Sequence, residues 1–133
     1  MTMAQPRTRT KLTVAGRDLG WLMALLQSAQ DSFNMTLAHM SHPVMELTLP
    51  AATEHECAIV QLEPEDSALE VRDLLDRSPN VSFVFVADAL PVRHAVARVI
   101  RERGQVVVSH RDAPFVIIAT ATALMATHSN ANE

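Results

Sequence analysis

Between Glu56 and Pro64 the chain carries a short, unbroken apolar run, Cys57-Ala58-Ile59-Val60-Gln61-Leu62, stopped by Pro64 and followed by the acidic pair Glu65-Asp66. A run of this length, with no polar alternation, predicts a strand buried on both faces. Strands of that kind belong in the middle of parallel sheets, where ligands and modifications sit beyond the carboxyl ends. Position 61 therefore bears on function, and it is a glutamine.

The rest of the chain supplies the partners such a strand needs. Lys11-Leu12-Thr13-Val14-Ala15 alternates and ends at Gly16, which predicts a first strand. Asp18 then caps a helix whose apolar residues Leu19, Leu22, Met23, Leu25, Leu26 and Ala29 recur at helical spacing. Phe33 to Ala38 alternates again, a second strand. Between His39 and His55, Pro43 and Pro50 bracket Val44 to Leu49, read as a short helix. After the central strand, Glu65 to Arg77 reads as a helix with Ala68, Val71, Leu74 and Leu75 inward. Ser78-Pro79-Asn80 is a turn. Val81 to Ala87 is a fourth, wholly apolar strand. Pro91 opens a helix that turns Val92, Ala95, Val96, Val99 and Ile100 inward, and Gly104 ends it. Gln105 to Ser109 is the fifth strand and Ala113 to Ala126 the last helix.

Strands alternating with helices imply right-handed βαβ units. The expected fold class is α/β: a doubly wound (βα)5 parallel five-stranded sheet of order 2-1-3-4-5, with the Cys57 strand at its centre. At 133 residues the chain reads as one domain, residues 11–126, between a disordered arm (1–10) and a flexible tail (127–133).

Charge is unevenly spread. Ten acids face two arginines between Glu46 and Asp88, and five arginines face two acids between Ala89 and Asp112. That asymmetry suits pairing with a protein partner or a second copy. Few basic residues and no tyrosine argue against direct nucleic-acid binding. No run is long enough to span a bilayer, and the single cysteine, Cys57, excludes an intrachain disulfide, so a cytoplasmic, non-membrane protein is expected. His39-x-x-His42 lacks the further ligands of a zinc set; neither metal nor cofactor is expected.

In element order and length, residues 11 to 126 resemble the receiver domain of two-component response regulators, with Glu56 to Pro64 standing as the receiver's third strand. The resemblance implies five functional positions: an acidic pair after the first strand, a phosphoacceptor aspartate ending the third, a threonine or serine ending the fourth, and a lysine ending the fifth. Here these positions carry Ala15-Gly16 or Gly16-Arg17, then Gln61, Ala87 and Ser109. A register slip brings Glu63 or Asp88 to one position without restoring the set. An amide cannot form an acylphosphate, and magnesium needs carboxylate oxygens. The resemblance is thus to a pseudo-receiver, a non-enzymatic regulatory module that works without phosphorylation. From Ala95 to Met125 the chain is similar to the pseudo-receivers that head antitermination regulators, which bind a ligand-sensing partner protein through this domain and RNA through a further helical one. No such RNA-binding segment is expected here. A second similarity is to the atypical receivers of pilus-assembly and polar-localisation proteins, which dimerise.

Two candidate sites follow. The first is the degenerate phosphoacceptor pocket of Ala15, Gly16, Arg17, Gln61, Ala87 and Ser109, with His110 reaching toward Gln61; an alternative reading gives a small flavodoxin-like ligand-binding protein or enzyme the pocket near Gly16, Gln61 and Ser109. The second is a homodimer or partner face on the last helix, where Phe115, Ile118, Thr122 and Met125 form one apolar stripe beside a sheet-facing stripe of Ile117, Ala121 and Leu124, fringed by Arg93, Arg98 and Arg101.

Overall fold

The computed structural model describes residues 10–29, 31–49, 56–87 and 92–131. Its elements run β1 (Lys11–Gly16), α1 (Leu19–Ala29), β2 (Asn34–His39), α2 (Pro43–Glu46), β3 (Glu56–Leu62), α3 (Ala68–Asp76), β4 (Val81–Ala87), α4 (His94–Glu102), β5 (Val106–Ser109) and α5 (Pro114–Ala131). The strands form one parallel sheet of order β2-β1-β3-β4-β5, as the alternation of patterns predicts. β3 and β4 are buried at every residue, which is why neither alternates. Of the expected arm only Thr10 is described, and Pro50, His55, Asp88 and Pro91 lie outside the described residues.

Side-chain alternation along the strands divides the core in two. Ala15, Ala58, Val60, Leu62, Phe83, Phe85 and Ala87 face α2, α3 and α4, with the Phe83 and Phe85 rings stacked 5.6 Å apart. Leu12, Val14, Cys57, Ile59, Val84 and Val86 face α1 and α5. Burial removes Cys57 from chemistry by pushing its thiol up to about 12.

Several boundaries differ from the sequence reading, each for a local reason. α3 begins at Ala68 rather than Glu65, because Ser67 and Glu70 form a capping box: the Ser67 Oγ accepts from the Glu70 N–H (3.1 Å) and Glu70 Oε2 accepts from the Ser67 N–H (3.4 Å). α4 stops in a Schellman motif, with Gln105 N–H donating to the Ile100 carbonyl and Gly104 N–H to Arg101, both at 3.0 Å. The motif needs a left-handed residue, and Gly104 has φ of 71°. The short helix expected after Pro43 is a single turn. Arg77 stitches it to α3, its Nη2 donating to the carbonyls of Val44 (3.2 Å), Met45 (3.3 Å) and Leu47 (2.9 Å).

The last helix continues past Ala126 to Ala131, through residues assigned to a flexible tail. His128 holds it: one ring nitrogen lies 2.6 Å from the buried Ser82 Oγ on β4, the other 2.9 Å from the Gly104 carbonyl. Leu19, Met23 and Ala95, expected inward, are exposed. A one-residue error in the phase of a helical stripe, about 100° of rotation, moves such residues to the surface.

Candidate functional site

The parallel strands bring their carboxyl ends to one edge, and the six residues of the expected pocket all stand there. Only half of them meet. Gly16 and Gln61 share the α1/α5 side of the sheet, whereas Ala15, Ala87 and Ser109 belong by alternation to the opposite side, where Ala87 is the register partner of Ser109. Ser109 is taken up locally: its N–H donates to Asp112 Oδ2 (3.3 Å) and its Oγ accepts from the Arg111 N–H (3.1 Å).

Arg17 is the centre of what remains. Its N–H donates to Gln61 Oε1 (2.8 Å), its carbonyl accepts from His39 Nε2 (2.9 Å), and its Nη1 donates to Glu63 Oε2 (2.7 Å). β2 and β3 thereby fix this one residue through main chain and side chain together. Glu63 is 5% exposed and Arg17 is 53% exposed, so a buried carboxylate is neutralised by a cation reaching in from solvent. Glu63 Oε1 is buried with no hydrogen-bond partner. His42 is taken up locally, its N–H donating to Glu46 Oε2 (3.0 Å) in the α2 turn.

The carboxylate is presented by a tight turn. Glu63 N–H donates to Asp66 Oδ2 (2.7 Å), while Asp66 N–H donates back to the Glu63 carbonyl (3.1 Å). Burial, opposed by the hydrogen bond from Glu63 and reinforced by the charges of Glu70, Glu63 and Glu65, raises the Asp66 carboxyl from 3.8 to about 6.

Trp21, which the sequence reading passed over, closes the space above Gly16. A Cβ at position 16 would stand 2.9 Å from both Trp21 Cζ3 and Gln61 Oε1. The indole is buried with its Nε1 unpartnered, and the His110 ring lies beside it at 5.5 Å between centroids. His110 thus packs on Trp21, while Gln61 Oε1 is engaged by Arg17. The signal for Trp21 was present: a lone tryptophan one turn past a strand-ending glycine, where only a missing side chain leaves room for a ring. Gly16→Ala is expected to destabilise the fold by about 1–3 kcal/mol through overpacking. Because Trp21 is the sole tryptophan, its fluorescence maximum should shift in the same variant, and an unshifted maximum with unchanged stability would count against this packing.

The residues at this edge do not fit a magnesium ion. Ala15 and Gly16 bring no carboxylate, a guanidinium already occupies Glu63, and among the described residues no group of three or more His, Cys, Asp or Glu side chains is placed to hold a metal. A cleft of about 300 Å³ does open at the other, amino end of the sheet, between Leu75, Ser78, Pro79 and Arg103.

The expected interface residues are divided by the fold. Phe115 and Thr122 are exposed, Met125 is half-buried against the core, and Ile118 is buried in it. Ile118 is thus corrected from partner face to sheet face, since Ile117, Ile118, Ala121 and Leu124 together form the stripe that covers β3 and β4. Arg93, Arg98 and Arg101 are exposed on α4, which packs on the opposite side of the sheet from α5; Arg98 pairs with Glu102 in its own helix (2.9 Å).

No protein-family model and no curated protein sequence matches the chain. Solved structures do. A CheY-like response regulator receiver domain from Methanospirillum hungatei superposes with a TM-score of 0.67 at 8% identity, over 92% of this chain and 98% of that one. The fold is that of receiver domains. The response regulator DrrB of Thermotoga maritima, an OmpR/PhoB homologue, gives 0.65 at 12% identity over 90% of this chain; this chain spans about half (54%) of its length. A response regulator of Burkholderia pseudomallei, solved with a phosphorylated aspartic acid, a calcium ion and citrate, gives 0.60 at 16% identity over 93% of this chain and 75% of that one. Where the resemblance implies an acceptor aspartate, a threonine or serine and a lysine, this chain carries Gln61, Ala87 and Ser109. Among the described residues no helix is long and apolar enough to cross a membrane.

Proposed function

We propose that this chain is a phosphorylation-independent, receiver-type regulatory module, non-enzymatic and cytoplasmic, that acts through protein–protein contact and homodimerisation. The observation that carries the reading is the Arg17 clamp. Gln61 stands at the acceptor position with its oxygen engaged by the Arg17 N–H, and the Arg17 guanidinium is bonded to Glu63. Phosphoryl transfer to a carboxylate needs an accessible acceptor, a divalent cation and a cationic side chain on the leaving oxygens. The clamp offers a glutamine and an internal salt bridge in their place. A module with that edge holds one state and signals by what it binds, without direct contact to nucleic acid. The similarity of Ala95 to Met125 to antitermination pseudo-receivers supports a role in transcription regulation with a protein partner.

The test is incubation with a small-molecule phosphoryl donor and Mg²⁺, followed by intact mass, beside a receiver that carries its aspartate. No adduct is expected for the wild type. Gln61→Asp alone is also expected to stay unlabelled, because Ala15 and Gly16 still bring no metal-binding acid and Arg17 still covers Glu63. A stable adduct on the wild-type chain, at Glu63, Asp66 or elsewhere, would overturn the proposal.

A further inference from the structure

The cleft at the amino end of the sheet is built from the ends of two helices and the starts of two strands. α3 ends at Asp76 and α4 at Glu102, while β4 starts at Val81 and β5 at Val106. The space between them measures about 300 Å³. A water takes up about 30 Å³ in the liquid, so roughly ten non-hydrogen atoms fit there. That is the lower end of the range for small-molecule sites, about 300–1,000 Å³.

Its walls are of three kinds. Leu75, Pro79 and Val81 supply apolar surface. Asp76 and Arg103 supply opposite charges: Arg103 Nη2 lies 2.5 Å from Asp76 Oδ1, and the two side chains are 42% exposed for the arginine and 54% for the aspartate. That contact uses one nitrogen of the guanidinium and one oxygen of the carboxylate, so each group keeps bonding capacity for a ligand. Gln105 and Ser78 supply neutral polar groups. Gln105 Oε1 accepts from the Phe83 N–H (2.7 Å) and its Nε2 donates to the Arg103 carbonyl (3.1 Å), which fixes the amide and leaves its second N–H. Ser78 is buried and its main chain is satisfied: its N–H donates to the Leu75 carbonyl and its carbonyl accepts from the Val81 N–H, both at 3.3 Å. Its Oγ, however, is buried with no hydrogen-bond partner. A buried hydroxyl left unpaired is costly, and folded proteins ordinarily give it a partner.

From this we infer that the amino-end cleft binds a free α-amino acid with an apolar side chain. Opposite charges side by side match a zwitterion better than a simple ion, since an anion also meets the Asp76 carboxylate and a cation the Arg103 guanidinium. The ammonium belongs at Asp76, because α3 and α4 both end here and their last carbonyls add partial negative charge. The carboxylate belongs at Arg103, whose remaining N–H donors match its two oxygens. The second Gln105 N–H and the Ser78 hydroxyl, turned about χ1, complete its hydrogen bonds. The side chain then lies on Leu75, Pro79 and Val81. The cleft stands at the end of the sheet opposite the Arg17 clamp, so its failure to bind would leave the phosphorylation-independent reading intact.

The experiment is an NMR titration of the nitrogen-labelled full chain with L-valine, L-leucine, L-isoleucine and L-methionine. Three controls accompany them: 3-methylbutylamine and 4-methylpentanoate, which keep the leucine side chain with one charge each, and glycine, which keeps both charges without it. At least one of the four amino acids is expected to give saturable shifts at the amides of Ser78, Phe83 and Gln105, with a dissociation constant of about 1 mM or tighter. Each control should bind about 10-fold more weakly or worse. Arg103→Gln is expected to weaken binding by about 10-fold. Ser78→Ala should weaken it by about 5-fold at an unchanged melting point, because no hydrogen bond within the fold is lost. A purely structural serine would move the melting point and not the affinity. No saturable shift with any of the four at about 10 mM overturns the proposal. So do shifts confined to other residues, the amine or the acid binding as tightly as leucine, or affinities unchanged in both variants.

Discussion

Replacing Arg17 with alanine is expected to lower the stability of the fold by about 2–4 kcal/mol. The variant keeps the main-chain bonds to Gln61 and His39 but removes the one cation paired with Glu63 among the described residues. Removing one partner of a fully buried pair typically costs about 3–5 kcal/mol, because the other charge stays in a low-dielectric site. The half-exposed Arg17 side chain reduces that figure, since water can enter where the guanidinium was. With Glu63 Oε1 already unpartnered, water is its one source of compensation. In a domain of this size the loss should appear as a fall in the melting point on the order of 10 °C.

A second substitution separates this cause from general damage. Glu63→Gln removes the charge that Arg17 neutralises, so Arg17→Ala should cost much less in that background. The double-mutant cycle is expected to return a coupling of about 1–3 kcal/mol. Equal costs for Arg17→Ala in both backgrounds would mean that the ion pair contributes nothing, and the clamp would reduce to its two main-chain bonds. The prediction matters for function as well as stability, since the same ion pair is what occupies the carboxyl edge.

How much of this was legible beforehand depends on the range of the interaction. The sheet order and the central position of β3 and β4 follow from patterns along the chain, because burial on both faces and helical periodicity are local signals. The single turn at Pro43 and the stop at Gly104 were legible for the same reason. The start of α3 was readable from Ser67 and Glu70, yet the acids before them resemble a helix's first turn and drew the boundary too early. The site is a different matter. The Arg17–Glu63 bond joins residues 46 apart, and nothing in the neighbourhood of either announces the other. The six expected pocket residues were chosen by their place at strand ends, without the strand parity that puts Gln61 and Ser109 on opposite sides of the sheet. The last helix shows the same limit. An all-apolar sequence does not reveal its phase, and only packing shows that Ile118 turns inward while Phe115 turns out.

Asp66→Asn is expected to stabilise the protein at neutral pH and to flatten its dependence on pH. The Asp66 carboxyl, 4% exposed, titrates at about 6 in the fold against an ordinary value of 3.8. Burial is the larger cause, and the charges of Glu70, Glu63 and Glu65 add to it. Since the folded value lies above the unfolded one, between about pH 4 and pH 6 the folded protein holds this proton and the unfolded chain has released it. Stability therefore falls as pH rises through that window, and above about pH 6 the full cost of the buried charge is present. The shift corresponds to about 3 kcal/mol at most, and relaxation of the turn should bring the measured cost to about 1–2 kcal/mol. Asparagine keeps an oxygen to accept the Glu63 N–H while removing the charge, so the turn that presents Glu63 survives. Urea unfolding between about pH 4 and pH 8, roughly two decades on either side of the titration, checks this. The wild type should lose stability across the lower half of that interval relative to the variant, and the variant should be the more stable at pH 7.5. Parallel curves would show that Asp66 does not titrate in the window. If the curves diverge as expected, Arg17→Ala should deepen the divergence, because an unneutralised Glu63 carboxylate adds to the field that already raises Asp66.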